Sequence, residues 1–295
     1  VNVLARGTPG MAGADLSNLV NEAVLNAVRR EVDVAEAEDF EDARDRILMG
    51  LKRDSMAISD EEKEVIAYHE AGHAVLAYVL DHSDPVHKVT ILPSGMALGV
   101  TQQLPEEEKH IHKREYVTDS IVVALGGRIA EEIVFGHVST GAQNDLVRIT
   151  ELARRMVREW GMSKRIGPMA WGAQGAVFLG EDLVHTRDYS DETARVIDEE
   201  VERILREEEV RARKILRSHR KGLNAVAEGL LAQETLDGED VARLVDQAMG
   251  RRAGGYRKIQ HADGTVTEVK PPSTNGAAKP SKSAAKPQPA KNKLK

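Results

Sequence analysis

The 295-residue chain carries 41 Lys and Arg against 48 Asp and Glu, a formal charge of −7, with 3% aromatic residues and no cysteine. Disulfides and thiolate metal sites are excluded, so any metal must be held by His, Asp or Glu, which favours a catalytic over a structural site. The longest clean apolar runs, such as Ala74 to Leu80, are too short to span a bilayer.

The charge is unevenly spread. From Arg251 onward there are 11 Lys or Arg against Asp263 and Glu268, a net of +9, which leaves −16 on residues 1–250. Pro, Ser, Ala and Lys accumulate in that basic segment and almost nothing in it can be buried, so 251–295 reads as a disordered basic tail. Aromatic residues interleaved with basic ones are missing, which argues against nucleic acid as a partner. The chain opens at Val1 in mid-pattern with no leader, and the expectation is a piece of a larger protein.

In chain order, residues 1–50 read as a small helical unit. Leu16, Leu19, Val20, Ala23, Val24, Ala27 and Val28 recur at helical spacing, and Asp33 and Glu36 can cap a second helix carrying Phe40, Ala43, Ile47 and Leu48. Lys52 to Ser55 reads as a polar linker. Ser59-Asp60-Glu61-Glu62 then has the form of a capping box ahead of a mostly apolar helix, with Asp84-Pro85 expected to end it. An extended stretch from Val86 to Leu92, a turn at Pro93-Ser94-Gly95 and a return at Leu98-Gly99-Val100-Thr101 make one strand pair, the only strand region expected. Helices are expected thereafter: Tyr116 to Phe135, about Leu146 to Trp160, a long one from Ser190, and a short one starting at Leu236-Asp237-Gly238.

The chemistry sits in His69-Glu70-Ala71-Gly72-His73. Two histidines four apart on a helix share one face and can put two imidazole nitrogens on one zinc ion, with the intervening glutamate placed to act on water. The competing reading, two core histidines with local partners, leaves an expensive buried carboxylate unexplained. A catalytic zinc takes three protein ligands, so a third is needed. Asp145, where the loop Ser139 to Asn144 turns into a helix, is one candidate, although an Asp at a helix start is ordinarily an N-cap. Glu131 and Glu132 are rivals. His82, His87, His110, His112 and His137 are further possibilities with no spacing to recommend them.

Taken together, His69 to His73, Leu125-Gly126-Gly127-Arg128 with Ala130-Glu131-Glu132, and Ser139-Thr140-Gly141 through Asn144-Asp145 resemble the FtsH family of membrane-anchored, ATP-dependent zinc proteases. Trp160 to Ser163, Val177 to Gly180, Arg187 to Ser190 and Glu234 to Asp237 add to the resemblance, which runs to about residue 249. It implies a mainly α chain: the end of a helical AAA+ lid at 1–50, with Gly13-Ala14-Asp15 near the nucleotide, then a mostly helical zincin-type peptidase domain with a small β element at 56–250. It implies one Zn2+ per subunit on His69, His73 and Asp145, Glu70 as general base, and Glu131 orienting a ligating histidine. It further implies unfolded protein substrates, a homo-hexamer, a membrane anchor upstream and a place on the cytoplasmic face of the cell membrane. ATP belongs to the longer protein only, since this chain has no G-x-x-x-x-G-K-[ST] loop. The alternative is a non-catalytic helical assembly or adaptor module of an AAA+ complex, against which the intact Glu70 speaks.

Overall fold

The structure, a computed structural model, describes residues 4–5, 7–8, 10–50, 58–95, 97–105, 111–171, 189–250, 257–260 and 266–269. The chain divides into two compact units, Val1–Ala253 and Gly254–Lys295. The expected linker at Lys52 to Ser55, the matching stretch Val177 to Gly180, Arg187-Asp188 and His110 lie outside the described residues.

Helix α1 (Gly13–Arg29) and helix α2 (Ala37–Met49) form the expected helical pair. Leu19 and Ala23 of α1 meet Ala43 of α2 in a small apolar cluster of their own, with Phe40 and Ile47 half-buried against it. Glu36 precedes α2, and its N–H donates to Asp39 Oδ2 at 2.8 Å. Arg30 Nη2 pairs with the same oxygen at 2.7 Å, closing the turn between the helices.

Helix α3 (Asp60–Val79) is the centre of the larger core. Ser59 caps it: Oγ accepts from the Glu62 N–H at 3.2 Å and the Ser59 N–H donates to the Glu62 carboxylate at 3.3 Å. From Ile66 to Ala77 all but Tyr68 are buried, so α3 is wrapped by neighbours rather than lying amphipathic on a surface. It ends at Val79, five residues before Asp84. The Asp84 segment is tied instead to its neighbours, with the Tyr116 hydroxyl on its carboxylate at 2.6 Å and Gln103 Nε2 on its carbonyl at 2.7 Å.

Where one helix was expected from Tyr116 to Phe135 there are two, α4 (Arg114–Ala124) and α5 (Gly126–Phe135), separated at Leu125. The break lets α5 approach α3 backbone to backbone. A Cβ on Gly72 would lie 2.3 Å from the Gly126 carbonyl oxygen, and one on Gly126 would lie 2.6 Å from the Gly72 oxygen, so only glycines fit at this crossing. A 3₁₀ turn (Thr140–Ala142) leads into α6 (Gln143–Arg158), which begins three residues before the expected start. Helix α7 (Asp191–Ser218) starts at Ser190, whose Oγ accepts from the Thr193 N–H at 3.2 Å. It buries Ile197, Val201, Ile204, Ala212 and Leu216 and pairs its outer charges at i,i+4 spacing. Helices α8 (Arg220–Gln233) and α9 (Gly238–Ala248) complete the core.

The expected strand pair is present as β1 (Val86–Thr90) and β2 (Val100–Gln103), antiparallel with Val89 opposite Thr101. The expectation of one strand pair is corrected, however. Strand β3 (Thr235–Asp237) lies on the other side of β1 with Leu236 opposite Val89, making the order β2-β1-β3. Three residues carry no periodicity, and β3 exists because β1 supplies the partner. In the second unit, β4 (Arg257–Gln260) pairs with β5 (Val266–Val269) in a hairpin, so the described part of the basic tail is extended. The remainder of 251–295 lies outside the described residues. No helix among the described residues is long and apolar enough to cross a membrane.

Candidate metal centre

His69 and His73 project from adjacent turns of α3, their Nε2 atoms 3.1 Å apart. Asp145, the third residue of α6, brings Oδ2 to 3.4 Å from His69 Nε2 and 3.5 Å from His73 Nε2. The three form the single group among the described residues with the composition and spacing to hold a metal ion. Asp145 is therefore not an N-cap. The 3₁₀ turn shifts the helix start upstream, Ala142 takes the cap position, and the Asp145 carboxylate points at the imidazoles instead.

The far side of each ring is fixed. His73 Nδ1 lies 2.8 Å from the carbonyl oxygen of Val123 at the end of α4. A carbonyl can only accept, so Nδ1 carries a proton and Nε2 is the ring nitrogen that faces Asp145. His69 Nδ1 lies 2.6 Å from Glu131 Oε1 on α5. Glu131 is buried and is held in turn by the Ser139 N–H at 2.5 Å and the Ser139 hydroxyl at 3.1 Å. Gly127 makes room for the ring, since a Cβ there would lie 2.4 Å from His69 Cε1 and Nε2.

Such a constellation draws positive charge. Burial works to lower the pKa of His69, but the Asp145 and Glu131 carboxylates outweigh it and push it up to about 10. Burial works to raise the pKa of Asp145, and the His69 and His73 rings hold it instead well below the usual carboxylate range. Burial likewise acts to raise Glu131, whose bond to His69 keeps it lowered. Two imidazole nitrogens and a carboxylate oxygen separated by 3.1, 3.4 and 3.5 Å suit a tetrahedral ion. Bonds of about 2.0–2.1 Å put neighbouring ligand atoms of a tetrahedron about 3.3–3.4 Å apart. Nitrogen donors with one carboxylate, and no sulfur, fit zinc held for catalysis.

Glu70 leaves α3 on a different side and is buried. Its Oε2 accepts the Thr101 hydroxyl of β2 at 2.7 Å, and Oε1 accepts no hydrogen bond among the described residues. Glu132 is drawn away from the site, pairing with Arg213 at 2.8 Å. The remaining histidines among the described residues are engaged elsewhere: His82 with Asp119, His87 with Glu41, His112 stacked on Tyr116, His137 on Phe135 and His219 with the Ile215 carbonyl. Sequence reasoning did not single out Thr101, Ser139 or the carbonyl of Val123. Their roles depend on contacts 31, 8 and 50 residues apart in sequence, the last made by a backbone oxygen, which no local pattern announces.

Comparison with known proteins agrees with this chemistry. Residues 56–244 match the model of peptidase family M41, and residues 1–42 match that of the AAA+ lid domain. The chain is 67% identical over 251 residues to the ATP-dependent zinc metalloprotease FtsH of Acidimicrobium ferrooxidans, covering 85% of this chain and 38% of that protein. It is 46% identical over 276 residues to the ATP-dependent zinc metalloprotease FtsH 2 of Salinibacter ruber, covering 93% of this chain and 38% of the relative. For the FtsH of Acidobacterium capsulatum the figures are 45% over 280 residues, 94% and 44%. The chain thus spans about two fifths of the length of these relatives. The resemblance read from the motifs holds across most of the chain, which belongs to peptidase family M41.

Proposed function

We propose that this chain is the peptidase part of a zinc-dependent endopeptidase, with His69, His73 and Asp145 as the metal ligands and Glu70 as the general base. The observation that carries the proposal is the convergence of three donor atoms within 4.8 Å of one another beside a buried glutamate on the same helix. A zinc ion held there supplies Lewis-acid polarisation of a peptide carbonyl and acidifies water. Glu70 does the proton work: its Oε1 takes a proton from the attacking water and returns it to the leaving amine. Oε2 remains engaged by Thr101. Glu131 and the Val123 carbonyl keep both imidazoles in the tautomer that presents Nε2.

The division into a lid segment at 1–50, a peptidase domain at 56–250 and a basic tail at 251–295 belongs to the same proposal. So do unfolded or damaged proteins as substrates, ATP-driven processive degradation by a homo-hexamer, and a membrane anchor that holds the longer protein at the cytoplasmic face. The relatives' names, ATP-dependent zinc metalloproteases, support the ATP and zinc dependence. A non-catalytic assembly module finds no support in a site that keeps both the donor set and the glutamate.

The test pairs metal analysis with digestion of casein. Glu70→Gln should retain zinc while losing about 10²–10⁴-fold in rate, roughly 3–5 kcal/mol of transition-state stabilisation. Near-normal proteolysis by that variant would remove Glu70 from the mechanism.

A further inference from the structure

Strand β2 runs beside Glu70 and confines it from two directions. The Thr101 hydroxyl lies 2.7 Å from Glu70 Oε2 and 3.2 Å from the Glu70 carbonyl oxygen. A hydroxyl has one proton, and the shorter contact with the charged acceptor takes it. Just before the strand, a Cβ on Gly99 would lie 2.8 Å from both Cγ and Oε1 of Glu70 and 3.0 Å from Cγ2 of Ile66. The side chain therefore packs against bare backbone at Gly99, and its carboxylate is bonded to the Thr101 hydroxyl.

The strand that supplies these contacts is itself fixed. Thr101 is paired across the sheet with Val89, which is fully buried. The next residue, Gln102, is gripped from α2: Arg44 Nη2 donates to its Oε1 at 3.1 Å and its Nε2 donates to Asp45 Oδ1 at 3.2 Å. Arg44 and Asp45 are both buried, so this grip is shielded from solvent.

We infer that Thr101 is a positioning residue for the general base: its hydroxyl selects the Glu70 rotamer that aims Oε1 at the attacking water. This rests on the assignment of Glu70 as base. Proton transfer requires the base within hydrogen-bond reach of its water, and misplacement of about 1 Å costs on the order of 10²-fold in rate. A packing role for Thr101 makes the opposite demand, because valine fills the same volume and suits a strand as well as threonine does.

The experiment measures kcat, KM and zinc content for the full-length, zinc-loaded protein with fluorescently labelled casein. Thr101→Val should lower kcat by about 10–100-fold with KM and zinc content unchanged, and Thr101→Ser should restore most of that loss. In a Glu70→Gln background the valine substitution should add almost nothing, because there is no base left to aim. Wild-type kcat in Thr101→Val, with Glu70→Gln inactive, overturns the positioning role and leaves the base in place. Equal losses in Thr101→Val and Thr101→Ser overturn it too, since packing would then be what matters. Full activity in Glu70→Gln overturns the base assignment itself, and the role of Thr101 with it.

Discussion

His69 and His73 are held differently from Glu70, although all three leave the same helix. Each imidazole is locked from behind by a group on a packed helix, Glu131 on α5 or the Val123 carbonyl at the end of α4, and each is buried. Glu70 is locked by one hydroxyl on β2, a strand whose four residues are all half-buried. The metal side of the site is thus part of the helical core, and anything that disturbs it also disturbs folding. The base side depends on a strand held by the sheet and by α2, outside the packing of α4 and α5. This contrast predicts that metal binding and catalysis can be separated by mutation, and that they separate along the line between α5 and β2.

The largest effect should come from the donor atoms. His69→Ala or His73→Ala should abolish both zinc retention and proteolysis, and Asp145→Ala should strip most of the zinc under dialysis against a mild chelator. Glu131→Ala should weaken metal affinity by only about 10–100-fold, because it removes the partner of a ligand and not a ligand. Competition with a chelating dye ranks them, and a greater loss from Glu131→Ala than from Asp145→Ala would reverse their assignments.

Gly127→Ala sharpens the contrast from the helix side. Its Cβ would press on the His69 ring at 2.4 Å, so zinc affinity should fall while the Thr101–Glu70 contact stays intact. Since the ring is held by Glu131 and cannot simply move aside, a drop in melting temperature should accompany the metal loss. A variant with normal metal affinity would show that the ring has more freedom than its partners allow.

A smaller effect is expected where α2 meets the sheet. Burial acts to raise the pKa of Asp45, but its bond to Lys88 wins and holds it below the usual carboxylate value. A depressed folded-state pKa contributes stability that is present above the unfolded value of about 3.9 and is lost as pH falls through the folded one. Amides of α2 should therefore exchange faster as pH drops below about 4, after correction for intrinsic rates, and Asp45→Asn should flatten that response. An identical pH profile in wild type and variant would mean the grip on Gln102 and Lys88 contributes nothing to stability.

How much of this was legible in the sequence varies by element. Helix α3 was readable from local chemistry alone, because Ser59, Glu62 and the apolar run each act within a few residues. The two histidines followed from helical spacing. Asp145 was not readable by local rules, since the rule that makes Asp a cap assumes the helix starts beside it. The 3₁₀ turn at Thr140–Ala142 moves that start, and only the family resemblance pointed past the cap. Strand β3 was missed because Leu236 is its sole buried residue and its pairing partner is about 145 residues away. Thr101 looked like an ordinary strand residue, and what distinguishes it is a contact with a glutamate 31 positions earlier.

The ligand set is tested most directly by anomalous diffraction at the zinc edge from crystals of the zinc-loaded protein. One anomalous peak per chain is expected, bonded to Nε2 of His69, Nε2 of His73 and a carboxylate oxygen of Asp145, with Glu131 on the far side of the His69 ring. A peak bonded to Glu131 in place of Asp145, or full zinc occupancy at some other group of residues, would contradict it.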